Sequence, residues 1–216
     1  MPTRGEILER LVGAGIVAVI RAQSSAHLMS VAEAIKQGGV DCIEVTMTTP
    51  NALHVISEVS EKYGDEVLIG VGSVLDSETA RAAILAGAQF VVGPTFDPRV
   101  IEISHRYDRP VVPGCFTPTE IANAWSAGAD LVKLFPATAV GPQYIRDILG
   151  PLPQVRIVPT GGVDLQNAGD FIKAGAAALA VGSAMVDKQA VADGRFDVVT
   201  ETARKFVEAV NAARGS

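Results

Sequence analysis

The run Ala129-Asp130-Leu131-Val132-Lys133-Leu134-Phe135-Pro136 decides how the rest of the chain is read, because it sets one lysine inside what is otherwise a buried strand. A short apolar run rich in Val, Leu and Phe, entered through Gly128 and stopped by a proline, has the pattern of a parallel strand covered on both faces. Alternation puts Leu131, Lys133 and Phe135 on one face and Val132 and Leu134 on the other. An isolated ammonium group in that setting costs several kcal/mol, so the group tends to shed its proton. A neutral amine is a nucleophile. Lysines whose pKa is pulled from about 10.4 towards about 7 to 8 form Schiff bases with carbonyl substrates. The competing reading is a snorkelling lysine at a strand end, its stem buried and its head wet.

Working outward, the chain repeats one unit: a short β-branched run, a few Gly, Ser, Thr or Pro residues, then a helical stretch. The predicted strands are Ile16 to Arg21, Cys42 to Thr46, Leu68 to Gly72, Phe90 to Gly93, Val111 to Gly114, Leu131 to Phe135, Arg156 to Thr160 and Ala178 to Gly182. Helical patterns separate them, several closed by an Ala-Gly or Gln-Gly pair suited to a helix C-terminus. An amphipathic helix over Thr3 to Val12 precedes the first strand, and a last helix runs from Phe196 to Ala213. Strand starts recur every 20 to 26 residues or so, which fits eight βα units. The expected fold is therefore α/β, a single (β/α)8 TIM barrel over residues 1–216 with an N-terminal capping helix. An open doubly wound sheet would announce itself with a Gly-x-Gly-x-x-Gly turn after the first strand. Here that turn reads Arg21-Ala22-Gln23-Ser24-Ser25.

Composition narrows the function classes. The 216 residues carry a net charge of -6, with 48% hydrophobic residues, and no basic stripe suggests a nucleic-acid surface. The first residues hold Arg4, Glu6, Glu9 and Arg10, unlike a signal peptide, and the weakly polar run Ala174 to Val186 is too short for a bilayer. The reading is a cytoplasmic protein with no membrane and no nucleic-acid partner. Cys42 and Cys115 lack metal-ligand spacing and read as small core residues. His27, His54 and His105 fall in helical stretches without ligand partners, and Trp125 reads as packing, so neither a metal nor a cofactor is expected.

Barrel chemistry sits at the carboxyl ends of the strands. On the second strand Cys42, Glu44 and Thr46 share a face, which points Glu44 into the barrel. Arg21 ends the first strand in phase with Val17 and Val19. The third, fourth and fifth strands run into Ser73, Pro94 and Thr117, so the mouth is polar, with one acid and two cations. Lys133 and Glu44 could form an inert buried ion pair. The apolar wall around the lysine and an arginine suited to a carboxylate favour a tuned nucleophile. The last two strands end in Pro159-Thr160-Gly161-Gly162-Val163 and Val181-Gly182-Ser183-Ala184, glycine-rich turns at the positions where barrels often hold phosphate.

Glu44-Val45-Thr46, Gly70-Val71-Gly72-Ser73-Val74, Pro113-Gly114 with Thr117-Pro118-Thr119-Glu120, Leu131 to Pro136, and Pro159 to Val163 together resemble the 2-keto-3-deoxy-6-phosphogluconate aldolase family over nearly the whole chain. The resemblance implies a class I aldolase with a homotrimeric barrel assembly, some members also cleaving 4-hydroxy-2-oxoglutarate. It makes Lys133 the Schiff-base lysine and Glu44 the acid/base. Arg21, Ser73, Pro94, Thr117, Phe135, Thr160, Gly161, Gly162, Gly182 and Ser183 then form the substrate site. Two positions depart from the family pattern. Thr48 stands where many members carry a carboxylate-binding arginine, so that role passes to Arg21, and Ser73 replaces a threonine while keeping its hydroxyl. The expected substrate is 2-keto-3-deoxy-6-phosphogluconate, cleaved to pyruvate and glyceraldehyde 3-phosphate. The alternatives are the galactonate epimer or 4-hydroxy-2-oxoglutarate with the same chemistry, and a non-catalytic barrel serving as a binding or assembly module.

Overall fold

The computed structural model describes residues 2–21 and 27–215. The expected alternation is present, and every strand pair is parallel. The strands are β1 (Ile16–Ile20), β2 (Cys42–Thr46), β3 (Leu68–Gly72), β4 (Phe90–Val92), β5 (Val111–Val112), β6 (Gly114–Cys115), β7 (Val132–Leu134), β8 (Ile157–Pro159) and β9 (Leu179–Val181). Between and around them lie α1 (Arg4–Ala14), α2 (Leu28–Gln37), α3 (Ala52–Tyr63), α4 (Ser77–Leu85), α5 (Pro98–Arg106), α6 (Pro118–Ser126), α7 (Gly141–Leu149), α8 (Ala168–Lys173), α9 (Lys188–Ala192) and α10 (Phe196–Arg214). The turn Ala22 to Ser25 lies outside the described residues.

The strands form a curled six-stranded sheet in the order β5-β4-β3-β2-β1-β9 and a three-stranded sheet in the order β6-β7-β8. A single parallel bridge, Thr160 to Ala180, links the end of β8 to β9. The hydrogen-bonded ring of eight strands expected from the sequence is thus corrected to nine segments in two sheets. The reason is local: the predicted strand Val111 to Gly114 breaks at Pro113, which has no N–H to give to a ladder. Its carbonyl still accepts from Lys133 N at 2.9 Å. Gly114 is required beside the break, because a Cβ there would overlap the Pro94 carbonyl.

Burial follows the strand alternation. Ala18, Ile20, Ile43, Val45, Ile69 and Val71 pack outward against the helices in the larger core. Val17, Val19, Cys42, Leu68, Phe90, Val92, Val112, Leu131, Val158, Ala178 and Ala180 face inward in a second cluster. Ile7 and Leu11 of α1 belong to that inner cluster, so α1 closes its floor. The helix starts cleanly because Thr3 and Glu6 form a reciprocal capping box. It is then tied down by Arg10, whose guanidinium reaches Asp41, Asp65 O and Glu66 O, and by Arg214, which donates to Val12 O and Gly13 O. Arg4 and His105 both reach the buried carboxylate of Asp130.

Two helices differ from expectation. The helical pattern that the sequence shows over Leu165 to Lys173 becomes helical only at Ala168, because the Asp164 carboxylate accepts from Gln166 N and Asn167 N and holds a side-chain turn first. The short α9, capped by Asp187 accepting from Ala190 N, has too few residues to show a period. Cys42 and Cys115 are free and buried, and Trp125 packs against the core.

Candidate active site

Lys133 and Glu44 are brought together by strand parity. Lys133 sits in the middle of β7, paired with Gly114 on one side and Val158 on the other. Glu44 sits in the middle of β2, paired with Val19 and Gly70. Both point inward, and they are 3% and 1% exposed. With Thr160, which is 4% exposed, they line an otherwise apolar interior cavity of about 20 Å³, room for a single water-sized group. Among the described residues, Glu44 Oε1 and Thr160 Oγ1 have no hydrogen-bond partner, so both are available to a ligand.

Gly72 makes this placement of Glu44 possible. A Cβ on Gly72 would collide with Glu44 Oε1, Cδ and Cγ, so the carboxylate folds over a strand position that only glycine leaves open. Gly70 does the same for the Phe90 ring. The sequence carries both in Gly70-Val71-Gly72, but their purpose depends on side chains from neighbouring strands.

The electrostatics follow from burial. Desolvation holds the Lys133 ammonium below the usual lysine range; the Glu44 carboxylate opposes this and the Arg21 guanidinium adds to it. Desolvation likewise pushes the Glu44 carboxyl above the usual range, with Lys133 and then Arg21 pulling it back. The two groups interact through space and make no hydrogen bond to each other. Each shift disfavours the charged form of its group, the direction in which burial tunes an acid/base and an amine nucleophile. Snorkelling does not describe Lys133, since its head lies inside the cavity.

Above the cavity lies a groove of about 240 Å³ that gathers Arg21, Phe135, Thr160, Gly161, Gly162, Gly182 and Ser183. Phe135 stands over Lys133, with Nζ 5.0 Å from the ring centroid. Gly161 and Gly162 adopt φ of 88° and 72°, which favours glycine, and the turn is braced by Asn167 Nδ2 donating to Gly162 O at 2.7 Å. No helix starts directly after Gly182; instead Met185 N and Val186 N donate back to its carbonyl in a turn. Asp164, not singled out from the sequence, also lines the groove, and its signal is the turn-forming Asp directly after Gly-Gly-Val.

Three expected site residues stand outside the lining of both cavities. Thr117 caps α6: its hydroxyl donates to Glu120 Oε2 at 2.9 Å and accepts from Glu120 N at 3.3 Å. Ser73 follows β3 with φ 61°, an unusual conformation for a residue other than glycine. Pro94 is half-buried after β4 with its carbonyl against Gly114. Thr48, at the position of the missing arginine, hydrogen-bonds Thr46 at 2.8 Å. Among the described residues no group of three or more His, Cys, Asp or Glu side chains could hold a metal ion.

Comparison with known proteins agrees with this geometry. The 2-dehydro-3-deoxy-phosphogluconate aldolase of Treponema pallidum is 37% identical over 211 residues, covering 97% of this chain and 99% of that protein. The 2-dehydro-3-deoxy-6-phosphogalactonate aldolase of Escherichia coli is 34% identical over 169 residues, covering 78% and 82%. The structure of KDPG aldolase from Legionella pneumophila, with pyruvate captured as a covalent carbinolamine intermediate, matches with a TM-score of 0.85 at 26% identity, covering 94% of this chain and 97% of that one. A family profile described as KDPG and KHG aldolase matches residues 7–202, and so, from the profile, the full-length relatives and the motifs in order, the chain belongs to the KDPG and KHG aldolase family.

Proposed function

We propose that this chain is a class I aldolase that cleaves 2-keto-3-deoxy-6-phosphogluconate to pyruvate and glyceraldehyde 3-phosphate. The observation that carries the reading is a buried Lys133 beside a buried Glu44 at the base of a groove that leads to two glycine turns. The Lys133 amine attacks the C2 carbonyl and, with loss of water, becomes an iminium. Glu44, directly or through a water, takes the C4 hydroxyl proton. The C3–C4 bond breaks, its electrons move into the iminium to give an enamine, and the aldehyde leaves. Protonation of C3 and hydrolysis of the iminium release pyruvate. The iminium is the electron sink, so the chemistry asks for no metal. Arg21, facing both reacting groups, is the partner for the substrate carboxylate.

The β5 to β6 continuity across Pro113 and the Thr160 to Ala180 bridge support reading the two sheets as one (β/α)8 barrel closed around the inner cluster. We also read the assembly as a homotrimer in the cytoplasm; the exposed Leu75 and Leu85 offer apolar surface to a neighbouring subunit. A second reading, the galactonate epimer as substrate, is favoured by the phosphogalactonate aldolase relative.

Pyruvate with borohydride tests the mechanism, because an iminium is reducible. The expected result is one reduced pyruvyl group per chain, mapped to Lys133; a label on another residue, or none, rejects the nucleophile assignment.

The glycine turns are the proposed phosphate site, with backbone N–H groups and the Ser183 hydroxyl as donors. Gly182 is the cleaner position to alter, since a Cβ there meets nothing closer than Val19 O at 3.8 Å, whereas one on Gly162 would crowd Thr138 Oγ1 at 2.7 Å. Gly182→Val is expected to slow cleavage of the phosphorylated substrate by on the order of tenfold more than cleavage of 4-hydroxy-2-oxoglutarate, about the worth of one lost charged hydrogen bond. Equal losses on both substrates, compared as kcat/KM in a folded variant, would assign the turn to barrel shape alone.

A further inference from the structure

The Schiff-base reading explains why Lys133 is buried but leaves open what holds its charge when it has one. Among the described residues no hydrogen bond reaches Nζ, and the inner wall around it is apolar apart from Glu44 and Thr160. The charged groups facing it are Glu44 from β2 and Arg21 from the end of β1, and their charges act on it in opposite senses. The remaining electrostatic neighbour is the face of the Phe135 ring, 5.0 Å from Nζ to centroid. The Phe135 backbone is held by its N donating to Cys115 O at 3.0 Å, and the ring edge lies beside Gly161, where an added Cβ would stand 3.8 Å from Cδ2 and Cε2. Lys133 and Phe135 are two apart on one strand, so their side chains share a face. An aromatic face within about 6 Å of a cation attracts it, most strongly where water is excluded.

We propose that Phe135 is a positioning residue whose ring face holds the positive charge of Lys133, first on the ammonium group and then on the iminium. The iminium half of this inference rests on the Schiff-base reading; the ammonium half does not.

The two halves give a pH signature that packing alone does not. Forming the iminium from the neutral amine consumes one carbonyl and one proton and releases one water, so a neutral group becomes a cation. Forming it from the ammonium exchanges one cation for another. Weakening the ring therefore weakens pyruvate capture only above the Lys133 pKa, where the free enzyme is neutral, and leaves it unchanged well below that pKa, where both states lose the same stabilisation. The Lys133 titration itself moves to lower pH.

The experiment places phenylalanines of increasing fluorination at position 135, which withdraws charge from the ring face at nearly constant shape. Two quantities are read across pH: the Lys133 titration in the free protein, from its 15N-labelled Nζ, and pyruvate affinity, from borohydride-trappable adduct. The expected result is a stepwise fall in the titration midpoint with fluorine count. Pyruvate affinity is expected to fall about two- to thirtyfold at alkaline pH, with no change at acid pH. Phe135→Leu should resemble the most fluorinated ring, and Phe135→Tyr should stay near the native protein. A Lys133 midpoint indifferent to fluorination, or an affinity loss equal at all pH, overturns the proposal and assigns Phe135 to packing against substrate. If native protein forms no adduct at Lys133 yet its midpoint still follows fluorination, the mechanism has failed and the ammonium half stands.

Discussion

Lys133→Met is expected to lose turnover by on the order of 10⁶-fold, the scale seen when a covalent nucleophile is removed, while the protein gains thermal stability. The loss follows from the reaction, since among the described residues no other amine lines the inner cavity. The gain follows from the depressed Lys133 pKa. A lysine whose folded pKa lies below its unfolded one binds fewer protons when folded, so stability rises with pH between the two values. Below that window the folded state bears the full cost of the buried ammonium, and methionine removes it. The gain should therefore be largest below the folded pKa and shrink as pH rises through it towards the ordinary lysine value. Glu44, deprived of its counter-charge, is pushed further up, which favours its neutral form and limits the offset. Thermal unfolding of both proteins at neutral and alkaline pH, beside steady-state cleavage, checks this. Turnover within tenfold of native would remove Lys133 from the chemistry, and a lower Tm at neutral pH would make the lysine a structural member of an ion pair.

The features that strand period controls could be read in the sequence. Alternation alone put Leu131 and Lys133 on one face and Cys42 and Glu44 on another, and these faces meet inside the sheets. The glycine turns after β8 and β9 could be placed at one rim from the sequence, and they line one groove with Arg21. What could not be read depends on neighbours distant in sequence. The break at Pro113 matters because its two flanking segments pair with different strands, β4 and β7. Gly72 has a purpose only once the Glu44 side chain is seen lying across it. Thr117 illustrates a different limit. Its Thr-x-x-Glu spacing with Glu120 is a capping-box pattern as much as a site motif, and the hydroxyl is in fact engaged at the helix start. A polar residue at a strand end can serve the next helix instead of the substrate, and sequence position does not separate the two.

Glu44→Gln is expected to slow cleavage by about 10²- to 10⁴-fold, the usual worth of a positioned general acid/base, while pyruvate still forms a trappable adduct with Lys133. The amide fills the same space over Gly72 and keeps an oxygen towards the cavity, so geometry is retained and proton transfer is lost. Removing the carboxylate also removes the one charge that raises the Lys133 pKa, leaving desolvation and Arg21 to lower it further. The rate of adduct formation, which follows the free amine, should accordingly begin to rise at lower pH than in the native protein, even as turnover collapses. That pairing separates the two roles open to a buried Glu beside a buried Lys. A general acid/base predicts slow cleavage with an early onset of trapping, whereas an inert ion-pair partner predicts near-native cleavage in whatever fraction folds. Measuring single-turnover cleavage and borohydride trapping on the same preparation decides between them. Cleavage within a few-fold of native would assign the proton transfers to another group, with Thr160 the remaining unpaired polar side chain in the cavity among the described residues.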